Sequence, residues 1–145
     1  MKKLFIHSWL PFFALLLYVV HMNGQESHPI EGTWIFNGNS SYARMATDMQ
    51  THLDTIPDLR SKFYADYEGR TMIFLPNGNF VQVMGSGMHL NGTWTVEGSA
   101  LIIRNSDGDS FYQEIGELTE SSLVLLLPSY GEAKPLLPEL HFTKK

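Results

Sequence analysis

The histidines of this chain do not show the spacing of a metal site. His28, His52, His89 and His141 are isolated from one another, whereas paired zinc ligands recur about three to five residues apart. His89 and His141 fall at polar positions of alternating segments, so we expect two exposed side chains there. The sequence therefore indicates neither a metal nor another cofactor.

The acidic and hydroxyl residues form no motif that predicts catalysis or calcium binding. The segment NSDGDS begins at Asn105 like a calcium loop, but Ser110 and Gly116 stand where such a loop needs Gly and Glu. Ser86 lies close to His89 in GSGMH, outside the strand-turn-helix context of a nucleophile elbow. We expect two hairpin turns and no enzymatic activity.

Aromatic and methionine side chains are the strongest candidates for binding a molecule. Methionine adapts to irregular ligands, and aromatic rings bury large apolar areas. Gln82 and Gln113 fall on the same predicted inner face, where a polar group needs a partner. The predicted ligand-binding residues are Trp34, Phe36, Met49, Phe63, Met72, Phe74, Phe80, Met84, Met88, Trp94 and Phe111. A solid core formed by the same side chains is the alternative.

Short β-strands are the elements that must position these side chains. Seven segments beyond residue 70 alternate or run apolar between turns, and GTWIF near the start makes eight. Asn77-Gly78 is a strong hairpin signal because a two-residue turn takes positive φ at both positions. Brief connections predict an antiparallel meander that closes as an eight-stranded barrel, in a chain that is mainly β. An open two-sheet sandwich is the competing arrangement.

A helical insertion is expected between strands one and two. Apolar residues recur at helical spacing from Tyr42 to Tyr67, with capping residues at 39–41 and Gly69 at the end. Ile56-Pro57 interrupts the pattern, which predicts two short helices or one kinked helix. Their apolar stripes would cover the mouth of the barrel as a lid.

The phrase Gly-Thr-Trp occurs twice, at Gly32 to Trp34 and at Gly92 to Trp94. In a strand the Gly and the Trp, which are two residues apart, lie on the same face. Each phrase therefore places an indole on the inner face next to a position that has no side chain. We expect a neighbouring ring or backbone to approach each Gly. The two indoles would plug one end of the barrel together, or one would plug an end while the other packs in the middle of the wall.

The first 24 residues are predicted to be a cleaved secretory signal peptide. Lys2 and Lys3 precede an apolar run from Trp9 to Val20 and a polar exit ending at Gly24. The chain has no cysteine, so neither disulfides nor a lipid anchor at the cleavage site are expected. We expect one domain, residues 25–145, in the periplasm or secreted, without a stable membrane anchor.

The net charge of −5 and the absence of a basic cluster argue against nucleic acid and anionic membrane surfaces as partners. A protein or glycan partner in the cell envelope is the alternative to a small ligand. Its expected site is the loop PSYGEAKPLLPEL, residues 128–140, with Tyr130 and Leu136-Leu137 exposed between prolines.

The chain resembles the lipocalin-like domains of exported Bacteroidetes-type bacterial proteins. The matching segments are the opening GTW, FLPNGNF, GTWTVEGSALII and LTESSLVLL, which together cover most of the mature chain. The predicted insertion also resembles the lid of the ten-stranded fatty-acid-binding barrels. The resemblance implies ligand binding inside a barrel, and a basic side chain against the first tryptophan, for which Arg104 and Lys144 are candidates.

Overall fold

The protein folds as a closed eight-stranded antiparallel β-barrel in which every strand pairs with the next and β8 returns to β1. The structure is a computed structural model and describes residues 27–128 and 135–145, so the predicted signal peptide lies outside the described residues. The predicted barrel is confirmed, and the sandwich alternative is wrong. The strands are β1 (Gly32–Phe36), β2 (Thr71–Phe74), β3 (Asn79–Val83), β4 (His89–Glu97), β5 (Ala100–Asn105), β6 (Ser110–Leu118), β7 (Ser122–Leu126) and β8 (Glu139–Lys144).

The first strand closes the barrel by pairing on both of its sides. Trp34 lies opposite Met72 of β2 and opposite Lys144 of β8, and Phe36 lies opposite Phe142. Because side chains alternate along each strand, one register places all of these residues on the inner face. Among the described strands, the sheet therefore has no free edge.

The predicted hairpins form, although the turn at Asn77-Gly78 differs from the expected one. Gly78 has φ +83°, but no described residue other than glycine has positive φ, so Asn77 does not. The turn runs over four residues, with the Gly78 N–H donating to the carbonyl of Leu75 at 3.0 Å. In NSDGDS, the Asn105 side chain accepts the N–H of Asp109 at 2.8 Å, which confirms a hairpin turn.

Three helices lie between β1 and β2, where the sequence predicted two or one. The first helix ends at Ala43, where the Arg44 N–H donates to the Ser41 carbonyl and the Met45 N–H donates to the Tyr42 carbonyl. The buried Met45 lies in the turn that follows. The cap of the first helix is Asn37, whose side chain accepts the Ser40 N–H, instead of a residue from 39–41. The helices are α1 (Gly38–Ala43), α2 (Thr47–Thr55) and α3 (Pro57–Tyr67).

The two ends of the barrel carry different connections. We call one end the closed end, and it holds residues 28–31 and the turns at 75–78, 98–99 and 119–121. We call the other the helical end, and it holds residues 37–70 and the turns at 84–88 and 106–109. No helix in the described ranges has the length and apolar character needed to span a membrane.

Candidate functional site

The closed end is sealed by the first tryptophan and the segment that precedes β1. Trp34 is 0% exposed, and its Nε1–H donates to the Ile30 carbonyl at 2.6 Å. The Lys144 Nζ lies 5.1 Å from the centroid of the Trp34 ring and donates to the Pro29 carbonyl at 3.3 Å. Of the two basic candidates, Lys144 is therefore the one that contacts the tryptophan, as a cation–π pair.

The second tryptophan completes the same seal. The Trp94 Nε1–H donates to the Leu75 carbonyl at 3.0 Å. Its ring contacts the Phe74 ring with centroids 5.6 Å apart and the His28 ring with centroids 5.7 Å apart. Both indole N–H groups thus have carbonyl acceptors at the closed end, as buried indoles require.

The glycines of the two Gly-Thr-Trp phrases stand where neighbouring groups approach closely. A Cβ at Gly32 would lie 2.8 Å from the Lys144 side chain, and a Cβ at Gly92 would lie 2.1 Å from the Arg104 carbonyl oxygen. The expected approach of a neighbouring backbone is therefore confirmed at Gly92, whereas at Gly32 the close group is the end of the flexible Lys144 side chain. Gly32 has φ +123°, which favours glycine there.

A cavity of about 220 Å³, open to solvent on one side, lies on the inner face of the sheet toward the helical end. Its walls come from β3 to β6 and from the residue that precedes β2, so no single segment of the sequence contains it. Four of its lining residues are apolar or aromatic and three are polar. They are Phe80, Leu90, Ile103 and Phe111, with Arg70, Gln82 and Gln113.

Arg70 is the charged residue of this cavity that sequence reasoning missed, and Leu90 and Ile103 were also not among the predicted binding residues. Its guanidinium carbon lies 4.4 Å from the centroid of the Tyr67 ring, and Nη2 donates to the Asp66 carbonyl at 3.3 Å. Its Nε is buried and has no hydrogen-bond acceptor within the described residues. Burial lowers the pKa of Arg70, although a guanidinium stays charged in proteins. Strand alternation could have identified Arg70, because it lies two and four residues before Met72 and Phe74, whose side chains point inward.

Two amides, those of Gln82 and Gln113, line the same cavity as this guanidinium, and the alternation predicted both on the inner face. The Gln82 Nε2–H donates to the Met84 sulfur at 2.9 Å, which is a weak acceptor. The Gln113 side chain has no hydrogen bond to any described residue. The cavity therefore has more hydrogen-bonding groups than its walls satisfy.

The third helix covers one side of the helical end. The Phe63 and Tyr67 rings have centroids 5.1 Å apart, and Tyr67 lies 5.6 Å from the Phe36 ring of β1. At the C-terminal end of α3, a Cβ at Gly85 would lie 2.0 Å from the Glu68 carbonyl oxygen. The end of α3 therefore contacts the β3–β4 turn backbone to backbone.

The structure brings two of the eleven predicted binding residues, Phe80 and Phe111, into the cavity wall. Trp34, Phe74 and Trp94 pack at the closed end, and Met72 lies buried in the wall near them. Phe36, Met49 and Phe63 pack between the helices and the core, and Met84 lies beside Gln82 at the β3–β4 turn.

Met88 was expected inside, but it is 62% exposed because it belongs to the β3–β4 turn and not to β4. Whether any of the eleven contacts a ligand stays a prediction.

A serine, a histidine and a glutamate meet where α1 packs on β8, but not as a catalytic triad. The buried Ser41 hydroxyl donates to the Asn37 carbonyl and accepts the backbone N–H of His141 at 2.9 Å, so it does not contact the imidazole. The His141 Nε2 lies 2.8 Å from the Glu139 carboxylate. The expectation of a plainly exposed His141 is therefore wrong, since this pairing half-buries it, whereas His89 is exposed.

The loop expected to offer an apolar patch does not expose Leu136-Leu137. Leu137 is 0% exposed and belongs to the core, and Leu136 packs against that core. Tyr130 lies outside the described residues. The prolines around the leucine pair predicted an exposed connection, but the chain turns this pair back onto the barrel.

Comparisons of this chain with protein-family models, curated proteins and solved structures found no match. Across residues 27–128 and 135–145, no group of three or more His, Asp or Glu side chains is placed to hold a metal ion.

Proposed function

We propose that this protein is an exported, lipocalin-like binding module for a small apolar or amphipathic molecule. The observation that carries the proposal is the cavity of about 220 Å³ inside the barrel. A cavity of about 150 Å³ in another protein interior holds benzene. The space at the helical end is therefore sufficient for a ligand somewhat larger than one aromatic ring.

Burial of apolar area supplies the affinity in this proposal. The ligand contacts Phe80, Leu90 and Ile103, and each Å² of apolar surface removed from water contributes about 25 cal/mol. Phe111 remains 48% exposed, so a ligand that covers its ring gains further buried area. The three helices act as a lid over one side of the entrance, as the contacts of α3 with Phe36 and with the β3–β4 turn suggest.

Binding of an environment-sensitive hydrophobic dye to the folded protein tests the proposal. Leu90→Trp places a large ring in the cavity, and we expect it to abolish the increase in dye fluorescence. Asn91→Trp is the matched control, because the neighbouring side chain points outward and is exposed on the same strand.

The readout is a fluorescence titration at equal protein concentration, with circular dichroism to verify that both variants fold. We expect the Asn91→Trp protein to bind the dye like the parent protein. Equal dye binding by the two variants would contradict a ligand site in this cavity, as would a parent protein that binds no dye.

A further inference from the structure

We propose that the ligand carries a carboxylate and that Arg70 binds it inside the barrel. This inference rests on the proposed function, since it specifies the chemical class of the molecule held in the same cavity. The observation that supports it is that one guanidinium and two amides line a cavity whose other lining residues are apolar.

The charge of the cavity favours an anion. Arg70 is the only charged residue among its described lining residues, and no carboxylate of the described residues forms an ion pair with it. Asp66 acts on Arg70 electrostatically, which opposes the effect of burial on its pKa, but it forms no ion pair with the guanidinium. The chain as a whole has a net charge of −5, so the positive charge of Arg70 is opposite in sign to the chain as a whole. Arg70 is partly buried, and its Nε is fully buried without an acceptor in the described residues. An anionic ligand would supply a partner for this group as it covers the rest of the guanidinium.

The donors of Arg70 exceed the acceptors around them. A guanidinium has five N–H donors, and within the described residues only the Asp66 carbonyl accepts one of them, at 3.3 Å. The Nε–H has no acceptor there. A carboxylate placed in the cavity offers two oxygens in the planar geometry that a guanidinium matches with two parallel hydrogen bonds.

The surroundings hold the guanidinium in place before a ligand binds. Its stacking on the Tyr67 ring at 4.4 Å orients the plane, and Tyr67 is itself packed against Phe63 and Phe36. A group that is already oriented loses less conformational entropy when the ligand arrives. The amides of Gln82 and Gln113 offer further N–H donors in the wall of the same cavity.

The size and charge of the site select among anions. One guanidinium balances the single charge of a carboxylate but leaves a doubly charged phosphate monoester with an unpaired charge in a largely apolar cavity. Phe80, Leu90 and Ile103 provide an apolar wall for a hydrocarbon or aromatic body. We therefore infer a small aromatic or short-chain aliphatic monocarboxylate.

The first test compares phenylacetate with phenylacetamide on the parent protein by displacement of the hydrophobic dye. The two probes match in size and differ in charge, so we expect phenylacetate to bind about tenfold tighter or better, in the range of charge-assisted hydrogen bonds. Equal affinity would overturn the carboxylate inference while dye binding still supported the proposed function. A protein that binds neither dye nor acid would overturn both.

The second test removes the positive charge with Arg70→Met, which keeps a long apolar side chain. We expect the affinity for phenylacetate to fall about tenfold or more and the preference over phenylacetamide to disappear. Arg104→Met is the matched control, because Arg104 is exposed on the outer face of β5, and we expect it to keep the preference.

A preference retained in Arg70→Met, or lost in Arg104→Met, would contradict the assignment of Arg70. Arg70→Lys keeps the charge without the planar fork, so we expect an intermediate affinity. If the Met variant does not fold, as circular dichroism would reveal, the parent protein's comparison of acid with amide decides the inference alone.

Discussion

The closed end and the helical end of this barrel are built from similar residues but differ in how their polar groups are satisfied. At the closed end, both indole N–H groups donate to backbone carbonyls, and Lys144 contacts both an aromatic face and a carbonyl. At the helical end, Arg70 keeps a buried donor without an acceptor in the described residues. Satisfied polar groups stabilise a fold, whereas unsatisfied ones beside a cavity indicate room for another molecule.

The comparison predicts that the largest loss of stability follows from damage to the closed end. We expect Trp34→Ala to lower the free energy of unfolding by about 3–5 kcal/mol, because it removes a fully buried ring and leaves a cavity. Urea denaturation measures the change. Ile35→Ala is the control on the outward face of the same strand, where we expect a loss of about 1 kcal/mol or less. Equal losses in the two variants would show that the indole does not seal this end.

A smaller loss is expected where α3 meets the β3–β4 turn. The new methyl group of Gly85→Ala would collide with the Glu68 and Ala65 carbonyls, so we expect a loss of about 1–3 kcal/mol and weaker dye binding. Gly38→Ala is the control, since its methyl would meet the Phe36 ring at an ordinary 3.7 Å. Urea denaturation and dye titration of both variants check this prediction, and a Gly85→Ala protein as stable as the parent would contradict it.

The smallest effect is expected in the alkaline titration of the helices. The Tyr42 hydroxyl donates to the Asp54 carboxylate at 2.8 Å, and this hydrogen bond, with burial and the charge of Asp54, raises the pKa of Tyr42. A raised phenol pKa contributes stability that is fully present below the unfolded value of about 10 and is lost as pH rises through the folded value.

Spectrophotometric titration of the tyrosines tests this effect. We expect Asp54→Ala to lower the pKa of the Tyr42 phenol. Asp58→Ala, which removes an exposed carboxylate of α3, is the control, and we expect it to leave the titration curve unchanged. An identical titration of the parent and Asp54→Ala proteins would show that this contact between α1 and α2 does not form in solution.

The barrel was predictable because its signals are local. Asn77-Gly78 and NSDGDS mark turns by their own chemistry, and alternation in β4 places Leu90, Trp94 and Val96 inward without knowledge of the rest of the chain. The three helices were less predictable. The apolar periodicity runs through Met45, and only its burial in the core reveals that a turn interrupts the helix there.

The candidate site was mostly not predictable because it depends on tertiary packing. The volume enclosed by Phe80, Leu90 and Phe111 depends on how far β3 to β6 separate, which no residue type specifies. A single arginine before a strand is usually an exposed residue, so Arg70 was not selected. Gln82 and Gln113 were found, because a polar residue at an inward position contradicts the pattern around it.

The pairing of β1 with β8 has a consequence for the time course of folding. Phe36 and Phe142 lie side by side in the sheet although more than a hundred positions separate them in the chain. Contacts between such distant segments form slowly, because bringing the two strands together costs the conformational entropy of the long chain segment between them before their hydrogen bonds form. The ring of strands cannot be completed until the last strand has left the ribosome. A nascent chain therefore lacks its full sheet until β8 has been synthesised, and removal of β8 (Glu139–Lys144) would leave two unpaired strand edges that favour aggregation.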